Sequence, residues 1–413
     1  MTGEALRVAF FPDAYLEIDG VANTSRCFAA FAKQRGLPFF VVHAGPHYEI
    51  ETSGSVTRVQ LPRGPVGFAL DQAHDYDLLF LRHYQKVLSL LRDFRPDLVQ
   101  ITGPSDVGIL GALLADKLRV PLAASWQTNL HEYARRRAAA ALPFLPEAWS
   151  AKLLPAVERW SLSALIRFYK IPRLLFAPNQ EIIHRLQEAT GKPCFLMSHA
   201  VDTTVFSPQF RDRPPGPLRI GYVGRFTTEK NVRLLARLER VLLAKGHEDF
   251  EIVLVGQGAE EKWLRKNMSK AQFTGVLTGR DLSRAFANMD IFVFPSETDT
   301  FGLVILEALA SGVPVVVTAR GGPRFSVRHG QTGYVAGDFD ELVACTVNLL
   351  TQPGLLAEMR GAARQYALSS SWDQIFDGMY TIYERFFPSA ASPGALGMSR
   401  NQGEDRSAKS LIL

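Results

Sequence analysis

The sequence is poor in cysteine. Its 413 residues include three cysteines, Cys27, Cys194 and Cys345, which lie far apart along the chain. They form neither a disulfide framework nor a group with the spacing of metal ligands. So few isolated thiols are typical of a reducing compartment, so we expect a cytoplasmic protein that requires no metal.

Long hydrophobic runs are also missing. The most apolar stretch, 302–318, is interrupted by Glu307 and Pro314. A helix that spans a membrane needs roughly 18 or more apolar residues in a row. The apolar run at 8–11 is too short for a signal peptide and is followed at once by Pro12. We therefore expect no segment that spans a membrane.

The excess of positive charge is local. Residues 132–173 contain eight Lys or Arg against three acids, which matches the net charge of +5 for the whole chain. Charge concentrated in one insertion argues against a nucleic-acid groove. The insertion also holds apolar residues at 142–146 and Trp149, which suits peripheral contact with an anionic membrane surface. An amphipathic helical pair with solvated cations is the alternative, and it stays open.

Short β-branched runs alternate with helical patterns over most of the chain, which is typical of parallel sheets covered by helices on both faces. A stretch with four prolines, 206–217, interrupts the pattern and reads as a linker. We predict an α/β protein with two doubly wound, Rossmann-like domains that face each other across a cleft. The domains are 1–205 and 218–370, and a tail, 388–413, is expected to be disordered. The predicted strands are 6–11, 39–44, 98–102, 122–125, 174–177 and 195–199, then 218–223, 251–255, 273–277, 291–294 and 315–318.

A dinucleotide fingerprint is absent from both halves. The nearest match, Gly256-Gln257-Gly258, is followed by Glu261 where a third glycine belongs. The first strand leads into PDAYLEIDG instead of a tight glycine turn. This disfavours a dehydrogenase, although such enzymes contain similar sheets.

The most informative segment is 294–314, FPSETDTFGLVILEALASGVP. A strand runs into a polar loop with Asp299, and a helix is predicted to begin at about Phe301 and to carry Glu307. The free N–H groups and partial positive charge of a helix N-terminus suit a diphosphate. Carboxylates beside a phosphate site can accept hydrogen bonds from sugar hydroxyls. The segment therefore predicts a nucleotide-sugar site.

Asp299-x7-Glu307 within this string resembles the E-x7-E signature of retaining glycosyltransferases with the GT-B fold, the family 4 or group 1 type. The large family includes sucrose synthase-like, mannosyl- and glycolipid-forming enzymes. Asp299 departs from the usual Glu by one methylene. The resemblance covers about 5–387 and implies that a helix at 371–387 crosses back onto the first domain; an ordinary terminal helix on its own domain is the alternative.

The string YVGRFTTEKN resembles the family motif whose Arg and Lys bind the donor diphosphate, here Arg225 and Lys230. No DxD pair follows an apolar strand, so these cations are expected to stabilise the leaving group without a metal. The resemblance places Glu307 on the ribose and Asp299 on the sugar hydroxyls. The donor-binding residues then comprise Gly20, Arg225, Lys230, Gly256, Val276, Leu277, Thr300, Phe301, Gly302, Leu303 and Glu307.

In the first domain, Gly20 resembles the glycine with which the family approaches the sugar and phosphate. The string SWQTNLHEY resembles the family pattern with a histidine beside the reacting sugar, but this chain has Gln127 there. Glutamine can hydrogen-bond a hydroxyl but cannot take up a proton near neutral pH. Asn129 and His131 are expected on the acceptor side. A second departure is His199-Ala200, where the family has Arg-Gly.

The resemblance implies a retaining, metal-independent transfer of a hexose from a UDP- or GDP-sugar to a lipid or saccharide acceptor. Gln127, Asp299 and Glu307 are the candidate catalytic residues, and same-face substitution is the implied mechanism. Two alternatives remain: a UDP-sugar epimerase of the same fold, which needs no acceptor, and a non-catalytic protein that binds a nucleotide sugar. Nucleic acid is not an expected partner.

Overall fold

The computed structural model describes residues 5–17, 20–64, 67–69, 75–77, 79–130, 138 and 147–387. The tail predicted at 388–413, His131 and most of the insertion before residue 147 lie outside these residues. The first half contains ten strands within the described ranges: β1 (Val8–Phe11), β2 (Phe39–Gly45), β3 (Glu49–Ser53), β4 (Val56–Pro62), β5 (Gly67–Ala69), β6 (Asp75–Asp77), β7 (Leu98–Ile101), β8 (Leu122–Ser125), β9 (Leu174–Ala177) and β10 (Cys194–Leu196). Its helices are α1 (Gly20–Gln34), α2 (Tyr84–Phe94), α3 (Asp106–Leu118), α4 (Glu147–Tyr169) and α5 (Gln180–Thr190).

The first sheet has the strand order β10-β9-β8-β7-β1-β2-β4-β3, and all its pairs are parallel except the β3–β4 hairpin. The central strands are buried on both faces, as expected where helices cover a parallel sheet. The chain order reverses between β1 and β7, where the Asp13 backbone N–H donates to the Thr102 hydroxyl at 2.7 Å. This end of the sheet faces the second domain.

The second half contains six strands within the described ranges: β11 (Leu218–Val223), β12 (Phe250–Val255), β13 (Ala271–Gly275), β14 (Ile291–Phe294), β15 (Val315–Thr318) and β16 (Gly333–Ala336). Its helices are α6 (Arg233–Ala244), α7 (Glu261–Asn267), α8 (Gly279–Ala287), α9 (Leu303–Ala310), α10 (Phe339–Thr351), α11 (Pro353–Leu368) and α12 (Trp372–Phe386). The strand order is β13-β12-β11-β14-β15-β16, all parallel. The switch point between β11 and β14 is where such sheets bind ligands.

The last helix, α12, packs on the first domain. The ring of Phe376 stacks on Phe28 of α1 with centroids 4.6 Å apart, and the Tyr383 hydroxyl donates to Gln100 Oε1 at 2.9 Å. Ser371 caps the helix in a capping box with Gln374, which explains why the helix begins there. The helix therefore ties the two domains together away from the cleft.

The sequence predicted most of the strands and both parallel sheets, but it missed β3 to β6 and β16. Strand β3 is exposed along nearly its whole length, so it has no apolar alternation to detect. The strand predicted at 273–277 ends instead at Gly275, whose φ of 76° leaves the β region. The helix predicted from about Phe301 begins at Leu303, because Gly302 has a φ of 80° and serves as its N-cap. None of the helices in the described ranges qualifies as a membrane span.

Candidate active site

Two loops of the second sheet meet beside the switch point, one after β11 and one after β12. Gly224 has a φ of 152° and Gly256 a φ of 132°. A Cβ on Gly256 would lie 2.0 Å from the Gly224 carbonyl oxygen, so only glycine allows this approach. The two glycines thus let these loops approach each other closely, and Gly256 has this backbone role whether or not a base binds beside it.

Lys230 and Asp299 form an ion pair across the switch point. Lys230 follows β11, and its Nζ lies 2.5 Å from Asp299 Oδ1 in the loop after β14. Burial alone would raise the pKa of Asp299, but the charge and hydrogen bond of Lys230 hold that pKa below its usual value. Arg225 is close enough to lower it further. The site therefore contains two cations and an ionised carboxylate.

Several buried polar atoms at this site have no hydrogen-bond partner in the described structure: Asp299 Oδ2, Thr227 Oγ1 and Gln127 Oε1. Buried polar atoms are almost always hydrogen-bonded, and a missing polar ligand is one physical reason for exceptions. Thr227 lies between Arg225 and Lys230 and is not among the site residues predicted from the sequence. Its position between the two cations predicted to bind the diphosphate could have identified it from the sequence.

Glu307 lies on α9, one turn beyond the helix start, as the sequence predicted. Burial raises the pKa of its carboxyl to about 7. Within the described residues, no hydrogen bond or ion pair reaches its side chain. A ligand with hydroxyl groups could supply the missing donors, and it would then favour the ionised carboxylate.

The loop 299–302 also makes polar contacts between the domains, in addition to the ion pair between Arg324 and Glu181 at 2.8 Å. The Thr300 hydroxyl donates to the Gln127 carbonyl at 2.7 Å, and Asn179 Nδ2 donates to the Thr300 carbonyl at 3.0 Å. The next residue, Phe301, packs on His199 with ring centroids 4.4 Å apart. Asn179 was missed in the sequence, although an Asn after a strand and before a helix is a typical N-cap.

The first domain contributes Gly20 and Gln127. A Cβ on Gly20 would lie 3.0 Å from Leu303 Cδ1, so Gly20 faces the start of α9. Gln127 is buried, and its Nε2 donates to Ser125 Oγ at 3.3 Å. Asn129 has a supporting position, since its Oδ1 accepts from the Trp126 indole at 3.0 Å.

Val276 and Leu277 are the residues predicted to line the pocket for the nucleotide base. Val276 is exposed beyond the end of β13, and Leu277 packs against the core of the second domain. A nucleotide base beside Gly256, Val276 and Leu277 therefore stays a prediction. Within the described residues there is no group of three or more His, Cys, Asp or Glu that could hold a metal ion.

Comparisons with known proteins agree with this geometry. A family model described as "Glycosyl transferases group 1" matches residues 217–352, and one described as "Glycosyl transferase 4-like domain" matches 29–165. A GDP-mannose-dependent alpha-mannosyltransferase from Mycolicibacterium smegmatis is 32% identical over 314 residues, covering 72% of this chain and 76% of that protein. One from Corynebacterium glutamicum is 28% identical over 386 residues, covering 90% and 86%.

Solved structures show the same fold. Sucrose-phosphate synthase from Thermosynechococcus elongatus superposes with a TM-score of 0.70 at 17% identity, covering 94% of this chain and all of that one. The predicted GT-B arrangement of two facing α/β domains is confirmed.

Proposed function

This chain belongs to the group 1 glycosyl transferases, and we propose that it transfers mannose from GDP-mannose with retention of the anomeric configuration. The coarser activity, transfer of a hexose from a nucleotide sugar, follows from its relatives. The observation that carries the proposal is the pair Lys230–Asp299 at the switch point, beside the start of α9. GDP-mannose is the donor in the names of the two relatives.

The diphosphate of the donor would bind Arg225, Lys230 and the N-terminus of α9. Phosphate oxygens would replace Asp299 as the partner of Lys230, so the ion pair exchanges one anion for another. This releases Asp299 to accept a hydrogen bond from a sugar hydroxyl. When the bond between C1 and the phosphate oxygen breaks, the cations stabilise the charge that develops, and no metal is needed for this role.

In the proposed reaction, the acceptor oxygen forms a bond to C1 on the face from which the diphosphate leaves. The acceptor proton passes to the departing phosphate oxygen, so that atoms and charge balance without a protein base. Gln127 supports this assignment because its amide can orient a hydroxyl but cannot accept a proton near neutral pH. Its unpartnered Oε1 would accept from the sugar.

We expect donor binding to depend on pH through Glu307. Its carboxyl is about half protonated near pH 7, because burial raises its pKa to about 7. Ribose hydroxyls that donate to the carboxylate would lower that pKa, so the affinity for GDP-mannose should rise from pH 6 to 8 and proton release should accompany binding. Titration calorimetry in buffers of different ionisation enthalpy measures both quantities.

Glu307→Gln should bind more weakly and show a flat profile over the same range. A wild-type profile that is flat, or one that keeps its slope in Glu307→Gln, would contradict the assignment. The diphosphate of a sugar nucleotide has no proton that titrates near neutrality, so the donor does not mask the effect.

The acceptor is proposed to be lipid-linked or saccharide, reached at an anionic membrane surface through 132–173. Within this segment, Trp160 of α4 is 75% exposed and Ile171 is 62% exposed. Arg159, Arg167, Lys170 and Arg173 are exposed beside them. Exposed aromatic and aliphatic side chains among cations suit the headgroup region of a membrane.

Co-sedimentation with vesicles that contain phosphatidylglycerol should show binding at low salt and release at high salt. Arg167→Glu/Lys170→Glu should lose most of this binding, because roughly 1 kcal/mol per cation is removed near the surface. The matched control Lys262→Glu changes an exposed cation on α7 and should bind as the wild type does. Equal binding by both variants would argue against α4 as the contact.

The donor assignment is tested with a panel of GDP-mannose, GDP-glucose, UDP-glucose and UDP-galactose, following nucleotide release with and without a bacterial lipid extract. Release from GDP-mannose, stimulated by the extract, is the expected result. The anomeric configuration of the product decides retention by NMR. Release from a UDP-sugar alone would overturn the donor assignment, and binding without release would favour a non-catalytic protein.

A further inference from the structure

A cavity of about 270 Å³ lies between the domains, on the far side of the loop 299–302 from Lys230. Both domains line it. The residues that matter here are Asn179, Leu196, His199, Phe301, Phe325 and Ser326. A volume of this size holds a small organic molecule, since one water occupies about 30 Å³ in the liquid.

Sheet topology separates the cavity from the proposed donor site. Arg225 and Lys230 follow β11, which lies on one side of β14, whereas Phe325 and Ser326 follow β15, which lies on the other side. In the first domain, the donor-facing residues follow β1 and β8. The cavity residues follow β9 and β10 at the edge of that sheet. The start of α9 stands between the two sites.

Two buried polar atoms of the lining residues have no hydrogen-bond partner in the described structure: His199 Nδ1 and Ser326 Oγ. His199 is 9% exposed and Ser326 is 1% exposed. Burial lowers the pKa of His199 to about 4, so the ring is neutral and has one nitrogen that accepts. Leu196 and Phe325 are large apolar side chains exposed at the cavity. Among the described residues that line it, none has a charged side chain.

We propose that this cavity binds a small uncharged molecule with an apolar body and a hydroxyl group, and that its occupancy strengthens donor binding. The hydroxyl would hydrogen-bond His199 and Ser326, and the apolar body would lie between Leu196 and Phe325. A charged ligand is disfavoured because the walls offer no opposite charge.

The coupling has a physical route. Ser326 ends a short 3-10 helix, Gly322–Ser326, whose Gly322 N–H donates to the Asp299 carbonyl at 2.6 Å. Phe301 belongs to both the cavity wall and the loop 299–302. The cavity exists only while the two domains are in this arrangement, and the proposed donor site also needs residues of both. A ligand that favours the arrangement therefore raises donor affinity, and the donor raises ligand affinity by the same factor.

Benzyl alcohol is the probe, with toluene as the analogue that lacks the hydroxyl. We expect benzyl alcohol to raise the Tm of the full chain in a saturable way and to change the fluorescence of Trp372, whose ring lies 6.0 Å from His199. Ser326→Ala should weaken its binding about fivefold by removing one hydrogen bond. Ser311→Ala is the matched control: its hydroxyl is also buried and unpartnered but does not line the cavity.

Three results would overturn the site: no saturable effect of benzyl alcohol, equal binding of toluene, or equal losses in Ser326→Ala and Ser311→Ala. Ala200→Leu, which fills the cavity from an apolar wall, should also abolish binding. None of these measurements needs catalytic turnover, so they test the cavity as a binding site independently of the proposed function.

The coupling rests on the proposed function, and it is measured with GDP as the donor probe. Benzyl alcohol should tighten GDP binding up to about fivefold in the wild type, and in Ser326→Ala the half-maximal effect should require about five times more benzyl alcohol. Unchanged GDP affinity in the wild type, with benzyl alcohol bound, would refute the coupling.

Discussion

Replacing Lys230 with methionine is expected to lower kcat/KM for GDP-mannose about 1000-fold, because it removes a preorganised cation from the leaving diphosphate. Methionine keeps much of the side-chain length and removes the charge. The loss should appear in kcat as well as KM, since the charge on the phosphate oxygen grows as the bond to C1 breaks. Steady-state nucleotide release measures both constants.

The ion pair makes a second variant informative. In Lys230→Met, Asp299 loses the charge that holds its pKa low, and it would become protonated or repel the donor. Asp299→Asn should cost less, because it leaves Lys230 free for the phosphates while it weakens the contact with a sugar hydroxyl. The double variant should therefore be less impaired than the product of the two single effects.

Lys262→Met, an exposed lysine on α7, is the matched control and should retain wild-type rates. If Lys230→Met kept more than a tenth of the wild-type kcat/KM, the assignment of Lys230 to the leaving group would be wrong.

Asp290→Ala is expected to lower the free energy of unfolding of the second domain by about 3 kcal/mol, because it removes the carboxylate partner of the buried Arg213 and of two half-buried arginines. Asp290 is 4% exposed in its side chain and lies 2.7 Å from Arg211 and 2.6 Å from Arg213. Arg360 of α11 approaches it at 3.3 Å, and the Arg219 backbone N–H donates to it at 2.8 Å. Burial lowers the pKa of Arg213, and the charge of Asp290 counteracts that effect.

Urea unfolding followed through Trp263, the one tryptophan between residues 218 and 370, measures the loss in this domain. The control Asp249→Ala removes an exposed carboxylate and should change stability by less than about 0.5 kcal/mol. Adding Arg213→Met to Asp290→Ala should recover part of the stability, since it removes one of the unpaired cations. Additive losses in the double variant would show that the charges do not interact.

The ion pairs of Asp290 also attach the linker to the second domain. Its prolines predict a linker at 206–217, and in the structure this stretch has no strand or α-helix, only the short 3-10 helix Pro208–Phe210. Arg211 and Arg213 nevertheless bind it to the second domain, which no local pattern in the sequence indicated. Arg211 and Arg213 lie almost 80 residues from Asp290 in the sequence, so no periodic pattern in the sequence predicts these ion pairs.

The alternation of buried strands and helices is written in the amino-acid order, because parallel strands covered on both faces are apolar throughout. The sequence also predicted a nucleotide-sugar site around Asp299 and Glu307, because a strand, a short polar loop and a helix are local features. Asp299 and Glu307 lie only eight residues apart, so the local structure limits how far apart their side chains can lie. The resemblance of YVGRFTTEKN to the family motif added Arg225 and Lys230 to the predicted site.

How the two domains meet depends on contacts between residues far apart in the chain. The loop 299–302 joins them through Thr300, Asn179 and Gln127, residues that come from three separate loops. The raised pKa of Glu307 and the cavity beside His199 depend on atoms that pack around them from distant elements. Burial and the lack of a hydrogen-bond partner depend on which atoms pack around a group, so they cannot be read from the sequence before the chain is folded.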